Sequence, residues 1–207
     1  MYLRYKLTYR DIEELLIERG IEPDHVTIWR WVHRFVPVIE AMAAPARHCV
    51  GTIWYCDETY VKVAGRQRYV YRAIDQHGQI VDVYVSSRRN KESARWFFQR
   101  ARAKISNLVE VVTDRHAPYL QAVEEEAPAA FHNCRRYANN RIENDHGPLK
   151  AWLRPMRGLC RDDCAQRVMV GHALVRNIRN GHYAIADSDI RPELRVKTAF
   201  DELAQMI

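Results

Sequence analysis

Between Thr8 and Arg19 the apolar residues Ile12, Leu15 and Leu16 fall on one helical face. Asp11, Glu13 and Glu14 come early, where the helix dipole favours acids, and Gly20 ends the pattern. After Ile21-Glu-Pro23, Asp24 has the chemistry of an N-cap. Ile28, Trp31, Val32 and Phe35 then recur at helical spacing and predict a second helix of about three turns. Two helices joined by a short Gly-containing turn make a helix-turn-helix pattern over residues 1–36. Thr27, Arg30 and Arg34 lie off the apolar stripe, where they can reach base edges or phosphates in a major groove. Trp29 and Trp31 read instead as core or interface residues. Residues 37–50 hold Pro37, Pro45 and the small-residue run Ala41-Met-Ala-Ala44, and read as a linker.

After Gly51 the period drops from that of a helix to that of a strand. Three runs rich in aromatic and β-branched residues, Ile53 to Val63, Arg68 to Asp75 and Gln79 to Ser86, are joined by short Gly-containing connections and predict an antiparallel meander. Lys91 to Lys104 is amphipathic through Ala94, Phe97, Phe98 and Ala101, and reads as a helix. A strand ending at Asp114, a short helix near Pro118 to Glu125 and a weak strand near Ala129 to His132 follow. A helix from Asn140 to about Leu153 and a last one over Asp162 to Arg179 complete the pattern. The order βββαβαβα is that of an α/β, ribonuclease-H-like core, a mixed sheet flanked by helices, assigned here to residues 51–182. Residues 183–207 read as a polar, mildly acidic tail.

Within that order one acid stands out. Asp57 sits inside the strand-like run Ile53-Trp-Tyr-Cys-Asp57-Glu-Thr-Tyr-Val-Lys-Val63, where an ionised carboxylate needs a cation, a metal or a functional cleft. Asp114 ends a second apolar run and Glu143 lies one turn into a helix, so the three suggest a carboxylate metal site. Glu58 faces away from Asp57 on a strand and Asp145 lies nearly opposite Glu143 on a helix, which excludes both. Carboxylate-only ligands suit Mg²⁺ or Mn²⁺ rather than zinc. Two such ions about 3.5–4 Å apart activate an attacking water or hydroxyl and stabilise the leaving oxygen of a phosphodiester displacement, without a side-chain nucleophile. Consistent with this, the chain has no Gly-x-Ser-x-Gly elbow, Walker loop or dinucleotide fingerprint. On the helix of Glu143, His146, Lys150 and Arg154 follow at three, seven and eleven positions, and with Arg141 they can line the path of a phosphate backbone.

Charge sharpens the choice of partner. Residues 134–182 carry ten Arg or Lys against four acids, a local excess equal to the net charge of +6 for the whole chain. A basic stripe of this kind is the footprint of a polyanion. The five cysteines are odd in number and irregular in spacing, which argues against a disulfide framework. No window has signal-peptide or membrane-span character, which predicts a cytoplasmic, nucleoid-associated protein.

Four motifs occur in order: Trp54-Tyr-Cys-Asp57-Glu-Thr-Tyr-Val-Lys-Val63, Tyr69-Val-Tyr-Arg-Ala-Ile-Asp75, Thr113-Asp114-Arg-His-Ala-Pro-Tyr119 and Tyr137-Ala-Asn-Asn-Arg-Ile-Glu143-Asn-Asp-His146. In these the chain resembles the DDE transposases of bacterial insertion-sequence family six, from about Tyr2 to Tyr183. The resemblance implies cleavage at element ends and joining of a DNA 3′-hydroxyl to target DNA. It also implies divalent metal held by Asp57, Asp114 and Glu143, and a homo-oligomer working on paired double-stranded ends that the helix-turn-helix recognises. Asp114 and Glu143 are 29 positions apart, a shorter interval than in many relatives, and the chain begins where relatives carry a further helix. That last feature raises a rival reading, a non-catalytic DNA-binding protein that represses or competes at element ends. A third keeps the fold but gives it nuclease action without joining.

Overall fold

The structure is a computed structural model describing residues 1–5, 7–105, 107–114, 116–135, 137–154, 159–185 and 190–206. Its chain divides into two compact units, one of Met1–His48, Ala151–Leu159 and Asp163–Ile207, the other of Cys49–Lys150 and Cys160–Asp162. Arg136 and Arg157 of the basic stripe, and Arg115 of the third motif, lie outside the described residues.

In the first unit, α1 (Tyr9–Ile17) opens on a reciprocal cap. Thr8 Oγ1 accepts from the Asp11 N–H at 3.1 Å, and the Asp11 carboxylate accepts from the Thr8 N–H at 2.7 Å. Gly20, at φ 73°, supplies the left-handed residue that turns the chain. Asp24 then caps α2 (His25–Ala43), accepting from the Thr27 N–H at 2.6 Å.

Helix α2 departs from the sequence pattern twice. It runs straight through Pro37, so residues 37–43 of the expected linker are helical and only the remainder, with a 3₁₀ turn at Ala44–Ala46, connects the elements. A proline at 37 leaves the carbonyl of His33 without its helical donor. Arg167, on α6 (Asp162–Arg179), donates to that carbonyl at 3.4 Å. Second, the buried stripe is Ile28, His33, Val36 and Ala43, whereas Trp31 and Phe35 are 44% and 40% exposed. The expected tail is also a packed element. α7 (Pro192–Ala204) puts Val196, Ala199 and Leu203 into one cluster with Ala43, Leu174, Val175 and Ile178. Those apolar positions recur at helical spacing, and tertiary burial outweighs the polar average of the segment.

The second unit holds β1 (Ile53–Val63), β2 (Arg66–Asp75), β3 (Ile80–Ser86), α3 (Lys91–Arg102), β4 (Glu110–Val112), α4 (Ala117–Glu126), β5 (Phe131–Asn133) and, up to Lys150, α5 (Asn140–Leu153). This is the predicted ribonuclease-H-like order. The sheet order is β3-β2-β1-β4-β5. β1 to β3 pair antiparallel, while β4 pairs parallel with both β1 and β5. Because β4 enters beside β1, segments more than fifty residues apart meet at one sheet end. One sheet face carries Trp54, Cys56, Tyr71, Ala73 and Val111 against Phe97 and Phe98 of α3 and Tyr119 and Val123 of α4, all buried. The opposite face, by strand alternation, belongs to α5.

β1 and β2 are joined by the two-residue turn Ala64-Gly65, with φ of 48° and 74°. Both values are left-handed, as a type I′ hairpin requires, and an alanine there carries a steric cost of about 1 kcal/mol. Ala64→Asn should therefore raise the melting temperature by about 2–4 °C, measured by thermal unfolding. No change would mean that the turn does not hold this conformation in solution.

Candidate active site

Strand alternation sorts the two adjacent acids of β1. Glu58 points to the α3/α4 face, where its carboxylate pairs with Arg89. Its side chain is 3% exposed, and its charge adds to the burial that drives the Tyr119 phenol well above its ordinary pKa. Asp57 points the other way. Its Cα partner on β2 is Arg72, and its Oδ2 lies 3.6 Å from Nδ1 of His146 on α5.

Asp114 follows β4 directly, and its Oδ1 accepts from the His116 N–H at 3.1 Å, a local turn that leads into α4. Asp114 is exposed, and with Glu143 of α5 it lines a cleft of about 300 Å³ that also takes in Thr113, Cys134, Asn139 and Asn140. The carboxyl of Asp57 has its pKa pushed up to about 7. Burial is the largest cause, the charge of Glu58 follows, and the charges of Asp114 and Glu143 add to it. Thus the three carboxylates act electrostatically on one another. Among the described residues no group of three or more His, Cys, Asp or Glu stands close enough to form a metal cage. The donor chemistry nonetheless suits a hard divalent cation: all-oxygen ligands, one of which gives up its proton readily once a positive charge is near.

Two ties hold α5 in place against the sheet. Asn139 Nδ2 donates to the Cys56 carbonyl at 2.9 Å, beside Asp57 on β1. Asp145 Oδ2 meets Arg72 Nε at 2.6 Å, with side chains 8% and 0% exposed. Asp145, excluded as a ligand on helical geometry, thus faces the sheet while Glu143 is exposed. Neither Arg72 nor Asn139 was singled out from the sequence. The available signal was a lone arginine in the apolar run Tyr69-Val-Tyr-Arg-Ala-Ile, an interior strand position where a charge requires a partner.

The expected DNA-contacting residues divide. Arg141 and Lys150 are exposed and lie over tyrosine rings of β1, Arg141 Cζ 5.6 Å from the Tyr55 centroid and Lys150 Nζ 5.2 Å from that of Tyr60. His146 is placed differently from the expectation. It is buried, and burial together with the nearby Arg72 charge lowers its pKa to about 4, so at neutral pH it offers no positive charge to a phosphate. Its position three residues after Glu143 turns it towards the sheet because the apolar stripe of α5, Ile142 and Leu149, includes that side. Arg154 is exposed in the turn after α5 and falls in the first unit, as do Thr27, Arg30 and Arg34. On α2, Arg30 and Arg34 are exposed and Thr27 is half-buried.

The raised pKa of Asp57 makes stability depend on pH. An unfolded aspartate titrates near about 3.9, so between about pH 4 and pH 7 the folded state binds the extra proton, and stability falls as pH rises through that window. Asp57→Asn removes the effect. Without metal, the variant should be more stable than the parent by a few kcal/mol at about pH 8, since each pKa unit is about 1.4 kcal/mol, and equal to it near about pH 4. Chemical denaturation across pH measures the difference, and millimolar Mg²⁺ should shrink it by stabilising only the parent. A constant difference at all pH values would contradict the assignment.

Known proteins agree with this geometry. A family model described as a DDE domain, of IS240-type transposases, matches residues 51–182. The chain is 36% identical over 155 residues, 72% of its length and 69% of the relative's, to the transposase for insertion sequence-like element IS431mec of Staphylococcus aureus. It is similar to the same extent to the transposase for insertion sequence element IS257 in transposon Tn4003, also of S. aureus. Among solved structures, a chain of the simian T-cell lymphotropic virus intasome in complex with PP2A regulatory subunit B56 gamma superposes with a TM-score of 0.50 at 15% identity. That match covers 72% of this chain and 55% of the viral one, so the chain spans about half the length of this structural neighbour, and the likeness concerns the fold alone. On the family match and the length of shared sequence, the chain belongs to the DDE transposases of insertion-sequence family six.

Proposed function

We propose that Asp57, Asp114 and Glu143 together form the carboxylate set with which this transposase cuts DNA at element ends and joins the resulting 3′-hydroxyl to target DNA. The observation that carries the reading is the electrostatic coupling at one sheet end: a half-buried Asp57 held near a pKa of about 7, partly by Asp114 and Glu143 charges that arrive from a different strand and a helix. Three mutually repelling carboxylates raise the free energy of the fold, and a divalent cation is the natural compensation. Mg²⁺, with Mn²⁺ as the substitute, fits the all-oxygen set, and two ions suit a reaction that needs one oxygen activated and another stabilised.

When bound, the metal supplies Lewis acidity to the attacking oxygen, the phosphate and the leaving oxygen. The chain's own residues do the rest. Asp57 gives up its proton as positive charge arrives, while Asp114 and Glu143 bound the 300 Å³ cleft that admits the strand. Arg141 and Lys150, exposed on α5, supply cations for the phosphates that flank the reacting one. Asn139 and the Arg72–Asp145 pair keep α5 against the sheet. Arg30 and Arg34 on α2, with Thr27, are proposed to read or grip the element end, Arg154 to add a phosphate contact, and the active form to be a homo-oligomer on two double-stranded ends.

Strand transfer with pre-cut element-end DNA tests the site. Glu143→Gln should lower joined product by 10²-fold or more, on the order of losing a principal electrostatic contributor to the transition state, with end binding unchanged. Joining at the parental rate would remove Glu143 from the mechanism. Binding without any product from the parent would favour the rival, non-catalytic reading, and nicked but unjoined strands the nuclease. For α2, Arg30→Ala and Arg34→Ala should each make the plot of log affinity against log salt shallower by about 1 for end DNA, measured by fluorescence anisotropy. An unchanged slope would place the DNA elsewhere.

A further inference from the structure

The buried face of α5 consists of Ile142, Asp145, His146 and Leu149, the i, i+3, i+4, i+7 stripe by which a helix docks on a sheet. Three of these side chains carry no charge at neutral pH. Asp145 does carry one, and it is matched by Arg72, a fully buried arginine on an interior strand. Removing two charges from water costs about as much as their attraction returns, and apolar pairs of similar volume often hold such positions as well or better. Docking strength alone therefore does not account for the pair.

Its placement suggests another role. Arg72 is the cross-strand neighbour of Asp57. Asp145 lies two residues beyond Glu143, about 200° around the helix, so whatever fixes the rotation of Asp145 towards the sheet fixes that of Glu143 away from it. A leucine stripe tolerates sliding and rolling by a fraction of a turn. An N–O contact of 2.6 Å between a planar guanidinium and a carboxylate is directional and does not. Asn139, bonded to the Cys56 carbonyl at 2.9 Å, fixes the start of the same helix beside Asp57.

We infer that the Arg72–Asp145 pair is the positioning device of this site: it sets the rotation of α5 on the sheet, and through it the placement of the Glu143 carboxylate relative to Asp57. Arg72 and Asp145 are positioning residues, acting through Glu143 without touching DNA. The inference rests on the reading of Asp57, Asp114 and Glu143 as the metal-binding set.

The test uses the full chain with Arg72→Met/Asp145→Leu, which removes both charges and leaves neither one buried alone, beside Arg72→Lys and Glu143→Gln. Thermal unfolding, Mn²⁺ affinity by calorimetry with the metal alone, and strand-transfer rate are read for each. The double variant should melt within a few degrees of the parent or higher, yet bind Mn²⁺ 10- to 100-fold more weakly and join DNA slower by a similar factor, the range typical of lost outer-shell support. A well-folded double variant with parental affinity and rate would reduce the pair to packing and overturn the inference. Should the double variant not fold, Arg72→Lys decides. It keeps the charge pair but loses the planar fork, and should fold with a several-fold drop in Mn²⁺ affinity; an unchanged affinity overturns the inference. Glu143→Gln separates the two levels. If it retains full Mn²⁺ affinity and joining, the carboxylate reading falls and the positioning role falls with it. If it loses both while the Arg72 variants lose neither, the positioning role alone falls.

Discussion

The alternation of side chains along β1 is the constraint on which the catalytic unit depends. The strand is hydrogen-bonded on both edges, to β2 and to β4, so its backbone cannot rotate to suit individual residues. Trp54, Cys56 and Glu58 must face α3 and α4, and Tyr55, Asp57 and Thr59 must face α5. A slip of one residue would bring Asp57 into the aromatic core and turn Glu58 towards the cleft. Two pairings guard against it: Glu58 with Arg89 on one face and, opposite Asp57, Arg72 with Asp145 on the other.

Local consistency between sequence and fold is given up at one place. Elsewhere in the unit buried acids are matched: Asp82 meets Lys104 at 2.9 Å, and Asp75 accepts from the N–H groups of Gly51, His77 and Gln79 at 2.8–2.9 Å. Only around Asp57 do like charges accumulate without a nearby Lys or Arg among the causes that act on its carboxyl. Natural sequences tend to break their own rules at functional sites, and the cost here is borne by a sheet whose other face is tightly packed with aromatic side chains.

The first unit shows how tertiary contacts override local signals. Pro37 and the alanines after it read as a break, and in a solvent-exposed segment they would be one. Here Arg167, distant in sequence, supplies a donor to the carbonyl that the proline leaves bare, and the helix continues. The exposed Trp31 and Phe35 have the same origin. They fit a helical period as well as Ile28 and Val36 do, and which stripe is buried depends on the elements packed against α2, among them Gly171 of α6, whose missing side chain admits Leu3 and Val36.

The amino-acid sequence by itself determined the order of elements in the catalytic unit, the hairpin turns, the helix caps at Thr8 and Asp24, and the exclusion of Glu58 and Asp145. Each follows from neighbours a few residues apart, through periods of 2 and 3.6 and the chemistry of caps. The family was legible too, because four motifs recur in a set order. Only the tertiary structure decided that His146 is buried and neutral, that residues 183–207 include a packed helix, that α2 passes through Pro37, and that Arg72 ties β2 to the helix of Glu143. In each of these the deciding partner comes from another part of the chain, and the free energy of burial depends on what covers a residue, which no local pattern records.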